Sequence, residues 1–392
     1  MYPADSLIAK IIGPLATASS VKALGGDYAT FMNNWYSKEP VHYANAIRVP
    51  SNYWAEANYY DRVKSYYGWH IADPDRADEY FNKGNELALN YRDLYAPTGN
   101  VSGHWSMPVG VALHHLLTND PASRTWVLNV GNTFTAPYYK DNLDNSNGEM
   151  DNRMQARCLE AWSLCWALTG DAKWATLLRN GLTDILTTQD ADGAYRLHNT
   201  EQDGENKPFM VGLLNDAMIL YGRLFERDSR IADSIQRACS YMWSNNWVAS
   251  AGAFIYQEGD DPDEPPSADL NNLILNGFTF SNMVSEAKEI FAGSLNAWID
   301  GQKQFNQTYL QPYQSIANVD GVDYAWEGAV PPQPEPGPEP DVDIETAKAA
   351  LIEAQSALAS ATAYVDTALA ALGGDTVRRQ RDRKFSPSSK GG

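Results

Sequence analysis

Carboxylates and aromatic rings are concentrated in four long connections between predicted helices, at residues 95–105, 136–150, 196–206 and 256–267. Carboxylates accept hydrogen bonds from sugar hydroxyls, and aromatic rings stack on the C–H faces of pyranoses. We therefore expect a glycan to contact these connections. The residues that we assign to glycan binding are His104, Trp105, Glu149, Arg153 and Asp203. A charged connection can also be merely solvated, which is our interpretation of residues 256–267.

Two carboxylates in or beside these connections could hydrolyse a glycan. Asp151 and Glu205 each stand just ahead of a predicted helix. Hydrolysis needs one carboxyl group that an apolar setting keeps protonated and a second one that acts as base or nucleophile. The two groups are about 5 Å apart in enzymes that retain the anomeric configuration and about 6.5–9.5 Å apart in enzymes that invert it. We assign Asp151 and Glu205 as the candidate catalytic pair.

Elimination is the alternative chemistry that these residue types allow. It needs a base, for which the candidates are His104 and Tyr60. It also needs a cation that neutralises the carboxylate of a uronate, for which the candidates are Arg62 and Arg153. The sequence leaves hydrolysis, elimination and glycan binding without turnover open.

Twelve helices are predicted from apolar periodicity and capping residues. They span residues 4–24, 27–37, 50–70, 74–94, 106–118, 121–135, 151–169, 171–188, 207–226, 228–246, 268–283 and 286–304. Short acidic turns recur between them, and the aspartates that we expect to act as N-caps are Asp73, Asp120, Asp171 and Asp228. Turns this short force the two helices of a pair to lie antiparallel, so the pattern predicts six helical hairpins.

One hairpin carries a family resemblance. The segments Thr169–Trp174 (TGDAKW) and Gln189–Tyr195 (QDADGAY) resemble a hairpin of the (α/α)6 toroids of glycan-active enzymes, such as unsaturated glucuronyl hydrolases, sugar epimerases and several polysaccharide lyases. The resemblance covers roughly residues 1–325 and implies an all-α fold, an (α/α)6 toroid whose long connections share one rim. We assign residues 1–327 to this toroid domain.

The composition changes abruptly after the toroid domain. Residues 328–342 form a Pro/Glu-rich linker, which we expect to be extended, and residues 375–392 form a basic flexible tail. Between them, residues 343–374 show a heptad pattern that predicts one helix for oligomerisation or docking. Its large apolar residues are seven apart, and are Ile344, Leu351, Leu358, Val365 and Leu372. Self-association, docking on a partner and folding back on the body are the alternatives.

The net charge of −19 argues against nucleic acid or an anionic membrane as the partner of the whole chain. We expect neither a Sec signal nor a membrane span, because the start lacks a basic flank and no apolar run is long enough. The basic tail could contact nucleic acid or an acidic protein surface, and we favour the latter. The three cysteines are too few for a disulfide framework, so we expect reduced, buried thiols.

We expect no cofactor and no metal. The pair His114–His115 points in two directions on a helix, and no acidic residue stands three or four positions away to complete a site. The segment Asp190–Gly193 is similar to a calcium loop but lacks the downstream glutamate.

The C-terminal module resembles the attachment helices of tailed-phage virion proteins, because its helix ends at Gly373–Gly374 and an arginine cluster follows. With the stiff linker, this layout predicts a virion-associated structural or appendage protein, located in the phage particle. Its toroid would contact glycan or neighbouring subunits, and its last fifty residues would tether it to other virion proteins. The alternative is an intracellular, cytoplasmic glycoside hydrolase or polysaccharide lyase that acts on acidic polysaccharide.

Overall fold

The structure is a computed structural model that describes residues 6–23, 26–47, 58, 60–99, 103–145, 150–197, 205–259, 266 and 268–297. The chain divides into two compact units, Met1–Glu327 and Gly328–Gly392, and every described residue belongs to the first. The linker, the heptad helix with its five apolar residues and the basic tail lie outside the described residues, so these assignments stay predictions.

The described part is mostly helical, which confirms the all-α class. Its α-helices are α1 (Leu7–Ile12), α2 (Ala18–Ala23), α3 (Gly26–Ile47), α4 (Arg62–Ala72), α5 (Ala77–Asn90), α6 (Pro108–Thr118), α7 (Pro121–Thr133), α8 (Pro137–Lys140), α9 (Asn152–Thr169), α10 (Ala172–Thr187), α11 (Pro208–Leu224), α12 (Ser229–Asn245), α13 (Leu275–Phe280) and α14 (Val284–Ala297). None of these helices combines the length and the apolar content that crossing a membrane requires.

In the described part of the chain, five pairs of consecutive helices pack as hairpins: α4 on α5, α6 on α7, α9 on α10, α11 on α12, and α13 on α14. We call the first helix of each pair the leading helix. Each leading helix packs against the leading helix of the next pair. Helix α14 packs on α3, and α3 packs on α5 of the first pair. The leading helices α9 and α11 are buried on most sides, whereas α10 and α12 bury one face, so the leading helices form the inner layer.

Among the described residues, two short antiparallel ribbons follow α10 and α12, the second helices of their pairs. Strand β1 (Arg196–Leu197) pairs with β2 (Glu205–Asn206), and β3 (Trp247–Val248) pairs with β4 (Ala253–Phe254). Gly193 and Gly252 each precede a strand and adopt φ values of 101° and 60°, which disfavour other residues. The first ribbon leads directly into the leading helix α11, so it positions one of the predicted rim connections.

The boundaries of several helices differ from the predicted ones. The predicted helix 4–24 is wrong as one element, because Gly13 (φ 82°) and Pro14 separate α1 from α2. The predicted helix 27–37 extends to Ile47 with Pro40 inside it. The third predicted helix begins at Arg62 among the described residues, because Asp61 caps it in a left-handed conformation (φ 58°).

Three of the four predicted aspartate caps are confirmed. Asp120, Asp171 and Asp228 accept hydrogen bonds from backbone N–H groups in the first turns of α7, α10 and α12, at 2.9–3.0 Å. Asp73 is not a cap of this kind. Its carboxylate accepts the hydroxyl of Tyr36 at 2.9 Å, and a 3-10 turn rather than an α-helix follows it.

Helix α3 is anchored on the first hairpin by aromatic and ionic contacts. The rings of Trp35 and Trp69 stack with their centroids 4.3 Å apart, and Trp35 Nε1 donates to Tyr80 Oη at 2.9 Å. Glu39 is fully buried, and both of its carboxylate oxygens accept hydrogen bonds from Lys83 Nζ at 2.8 Å. A buried carboxylate needs such a partner, because its desolvation is otherwise uncompensated.

Candidate functional site

Asp151 is the point at which three of the predicted site residues meet. It is the N-cap of α9, and its Oδ1 accepts from Met154 N at 2.7 Å. Its Oδ2 lies 3.5 Å from His104 Nε2 and 3.4 Å from Arg153 Nη2. Arg153 comes from the first turn of α9, whereas His104 comes from the connection before α6. The structure therefore joins two of the connections that the sequence indicated.

The charge of Asp151 is set by these neighbours. Burial acts to raise the pKa of its carboxyl group, but the hydrogen bond with His104, the charge of Arg153 and the bond from the Met154 N–H outweigh it and lower the pKa. Asp151 is therefore ionised at neutral pH. An ionised carboxylate suits a base, a nucleophile or an acceptor of sugar hydroxyls, and does not suit a general acid.

A single 3-10 turn, Gly103–Trp105, presents His104 to Asp151. The hydroxyl of Tyr91 fixes the turn, because it donates to Trp105 O at 2.6 Å and accepts from Met107 N at 3.0 Å. A Cβ atom on Gly103 would lie 2.4 Å from Met154 Sδ of α9, so glycine allows the close approach. The side chain of His104 remains 43% exposed, which leaves it accessible to a ligand.

A line of charged side chains continues from Asp151 along α9. Arg153, Arg157 and Glu160 stand at helical spacings of four and three, so they share one face. Arg157 and Glu160 are 3% and 6% exposed, and Arg157 Nη1 donates to Glu160 Oε2 at 2.6 Å. A buried ion pair on an inner helix is costly to desolvate, and it belongs either to a functional site or to a structural ion-pair network.

The N-terminus of α4 contributes a second buried carboxylate. Asp61 is 4% exposed, and its two oxygens accept from Lys64 N at 3.0 Å and from Gly110 N of α6 at 2.9 Å. Burial raises the pKa of Asp61 to about 6, although both backbone bonds and the charge of Lys64 oppose the shift. The charges of Glu160 and Arg157 are within electrostatic reach of Asp61.

A third carboxylate belongs to α11. Asp216 is partly exposed, and Asn276 Nδ2 of α13 donates to its Oδ1 at 3.0 Å. Burial raises the pKa of Asp216 to about 6, the charge of Glu160 raises it further, and the charge of Lys64 lowers it. We call Asp61, Arg157, Glu160 and Asp216 the interior cluster. It draws on the N-terminus of α4, on α9 and on α11.

Among the described residues, no hydrogen bond or ion pair connects Glu205, the other predicted catalytic residue, with Asp151. Glu205 begins β2, and Lys207 Nζ lies 3.9 Å from its Oε2. Its Oε2 is buried and accepts no hydrogen bond within the described part of the chain. The pairing of Asp151 with Glu205 therefore stays a prediction.

Arg196 links the first ribbon to the segment that follows the second ribbon. It binds Asp190 and Asp192 at 2.8 Å, and its Nε lies 3.3 Å from Glu258. Asn206 N also donates to Glu258 Oε2 at 3.3 Å. Glu258, which the sequence placed in a merely solvated connection, is therefore part of an ionic network. The carboxylates of the calcium-like segment bind an arginine here.

The two histidines that were considered as metal ligands hydrogen-bond to protein groups. His114 Nδ1 hydrogen-bonds Ser123 Oγ at 2.8 Å, and His115 Nδ1 hydrogen-bonds Asp120 O at 2.8 Å. Within the described ranges, no group of three His, Cys, Asp or Glu side chains could hold a metal ion. The free cysteines Cys158, Cys165 and Cys239 are buried, and burial raises their pKa values far above the ordinary one.

The remaining predicted residues are only partly placed. Trp105 is half-buried in the turn that carries His104. Tyr60 and Arg62 are buried beside Asp61, and Tyr60 is within electrostatic reach of Arg157. Glu149 and Asp203 lie outside the described residues.

The interior cluster was not predicted from the sequence. The predicted site residues were chosen from the connections between helices, whereas the residues of the cluster lie in helices or at a helix start. A signal was present. The helix 152–169 is apolar on nearly every side, and Arg157 and Glu160 interrupt that pattern one turn apart. Charges inside an otherwise buried helix indicate a functional site or a structural ion pair. No family model, curated protein or solved structure matches this chain.

Proposed function

We propose that this chain is a virion-associated appendage protein of a tailed phage whose helical body binds glycan. The observation that carries the glycan site is the convergence of His104 and Arg153 on the ionised Asp151. A charged donor, a charged acceptor and an exposed imidazole at one point can bind several hydroxyls of one sugar. The half-buried ring of Trp105, next to His104 in the chain, adds a surface for stacking.

The proposed body is an (α/α)6 toroid. The leading helices pack in sequence, and the contacts of α14 with α3 and of α3 with α5 support a closed ring over an open spiral. In such a ring the N-termini of α4, α6, α9 and α11 share one rim, which agrees with the bond from Gly110 N to Asp61 Oδ2. Arg157 and Glu160 of the interior cluster would then lie below the His104–Asp151–Arg153 site.

A second function, glycan hydrolysis or elimination, is favoured by the contrast between the carboxyl groups. The pKa of Asp151 is lowered, whereas the pKa of Asp216 is raised to about 6. Such a divergence separates a base or nucleophile from a general acid. Asp216 is partly exposed and so suits the acid better than Asp61, which is buried and bound by two N–H groups.

The glycan site is tested by substituting Asp151→Asn. Asparagine caps helices as well as aspartate does, so the variant keeps α9 and loses only the charge. We expect binding of acidic and neutral oligosaccharides, measured by isothermal titration calorimetry, to weaken about tenfold, because charge-assisted bonds contribute about 1.5–3 kcal/mol. Asp171→Asn, which alters a solvent-exposed cap in the same way, is the control and should bind like the wild type.

The same samples separate binding from turnover. New reducing ends or the absorbance of unsaturated uronates, lost in Asp151→Asn, would establish the enzyme. Binding without either product supports the appendage protein. Equal binding by wild type and Asp151→Asn would contradict the site. The tether is contradicted if the intact chain sediments as a monomer and binds no partner through residues 341–392.

A further inference from the structure

Arg157 has one free edge. Its Nη1 donates to Glu160 Oε2 at 2.6 Å, whereas Nε and Nη2 are buried and donate to no partner among the described residues. These two nitrogens are adjacent on the guanidinium, and their N–H groups point in parallel. This is one of the two edges with which arginine binds both oxygens of a carboxylate.

A free edge at this place is unusual. Arg157 is only 3% exposed, so water solvates its donors poorly. Buried donors are nearly always paired, because leaving one unpaired costs as much as a lost hydrogen bond or more. Since Arg157 cannot lose its charge in this pH range, deprotonation cannot remove the cost. The arrangement therefore fits a group that binds an incoming acceptor.

The surroundings of Arg157 fit a ligand site more closely than a structural ion pair. Glu160 holds Nη1 and so fixes the plane of the guanidinium. Asp61 and Tyr60, from the segment before α4, are within electrostatic reach of Arg157, although they belong to a different hairpin from α9. The free edge thus belongs to a region bounded by two hairpins. Asp216, on α11, adds a partly exposed group to that region.

We propose that Arg157 binds the carboxylate of a ligand inside the helical body, with Nε and Nη2 each donating to one carboxylate oxygen. Under the proposed function, on which this form of the inference rests, the ligand is a glycan with a uronate residue. A small carboxylic acid that is not part of a glycan has the same carboxylate and is the alternative ligand.

The negative charges near Arg157 do not prevent this binding. Glu160 is already paired with Arg157, and the oxygens of Asp61 are held by two backbone N–H groups. Burial raises the pKa of Asp61 and of Asp216 to about 6, so both carry less negative charge in weakly acidic solution than ordinary aspartates do.

Titrations of the wild-type protein alone can test whether the body binds a carboxylate. In calorimetric titrations of the full chain, D-glucuronate should bind at least about tenfold more tightly than D-glucose. The reason is that two charge-assisted hydrogen bonds from Arg157 to the carboxylate replace a neutral contact. Acetate should compete with glucuronate, and methyl glucuronate ester, which lacks the charge, should bind like glucose. Equal binding of glucuronate and glucose would overturn the proposal.

Variants identify the residue. Arg157→Lys keeps the charge but removes the paired Nε and Nη2 donors. It should lower the affinity for glucuronate about tenfold and leave the affinity for glucose unchanged. Arg179→Lys is the matched control, since Arg179 forms an exposed ion pair with Glu226 and should have no effect. Circular dichroism verifies that each variant is folded. If Arg157→Lys does not fold, the wild-type titrations with acetate and the ester still decide.

The outcomes separate this inference from the proposed function. Glycans that bind equally with and without a carboxylate overturn the role of Arg157 and leave the glycan site standing. Acetate that binds in an Arg157-dependent way, with no saccharide bound, supports the carboxylate site and contradicts the glycan function. A chain that binds neither contradicts both.

Discussion

Asp61 illustrates how one buried carboxyl group links local structure to stability. Its oxygens cap α4 and tie it to α6, which favours the ionised form, yet burial dominates and raises the pKa from 3.8 to about 6. The folded state therefore holds this proton more tightly than the unfolded state. The stabilisation is fully present below the unfolded pKa and is lost as the pH rises through the folded pKa.

This linkage predicts a pH-dependent difference between the wild type and Asp61→Asn, which keeps a capping side chain but cannot titrate. Between pH 4 and pH 7.5 the free energy of unfolding of the wild type should fall by about 2 kcal/mol relative to the variant. Urea unfolding at the two pH values measures the difference.

Asp228→Asn provides the contrast for this experiment. The hydrogen bond from Arg230 lowers the pKa of Asp228, so its stabilisation is present above the unfolded pKa and is lost as the pH falls. The difference between wild type and Asp228→Asn should therefore change in the opposite direction. A pH-independent difference for Asp61→Asn would contradict the raised pKa of Asp61.

At the scale of elements, the contact between α4 and α6 depends on a glycine. A Cβ atom on Gly110 would lie 2.4 Å from Asp61 Oδ1 and 2.7 Å from Lys64 N. The second of these is a backbone atom of the first turn of α4, which cannot move away as a flexible side chain can. The two leading helices therefore approach each other only with glycine at this position.

We expect Gly110→Ala to lower the free energy of unfolding by about 3 kcal/mol, because overpacking separates α4 from α6 and weakens the bond to Asp61. Gly170→Ala meets no atom within 4 Å and bears only the strain of its φ of 65°, so it should cost about 1 kcal/mol. Chemical denaturation of both variants compares them. Equal losses would show that the close approach is not important.

Elements with local signals could be predicted, and those that depend on long-range contacts could not. The caps Asp120, Asp171 and Asp228 follow from short turns, and the place of Asp151 ahead of α9 follows from a similar local signal, whereas its contact with the distant His104 does not. The break at Gly13 and the left-handed start of α4 depend on backbone conformations that the apolar pattern does not encode. The interior cluster needs three hairpins to converge, which no spacing within one helix reveals.

At the scale of the whole molecule, charged side chains lie at two levels of the helical body. His104, Asp151 and Arg153 lie at the level where the leading helices begin, and Arg157 and Glu160 of the interior cluster lie about one to two turns along α9. Burying this line of charges in a helical body with an apolar core is costly in desolvation. We infer that this line exists for a ligand that reaches from the first level to the second.

The most direct measurement is a crystal structure of the full chain with a bound uronate-containing oligosaccharide. We predict sugar density within hydrogen-bond distance of Asp151 and His104, with the carboxylate of one uronate on the Nε and Nη2 edge of Arg157. Density confined to the outer helices α5, α10 or α12, with the Arg157 edge occupied by another protein group, would contradict this prediction.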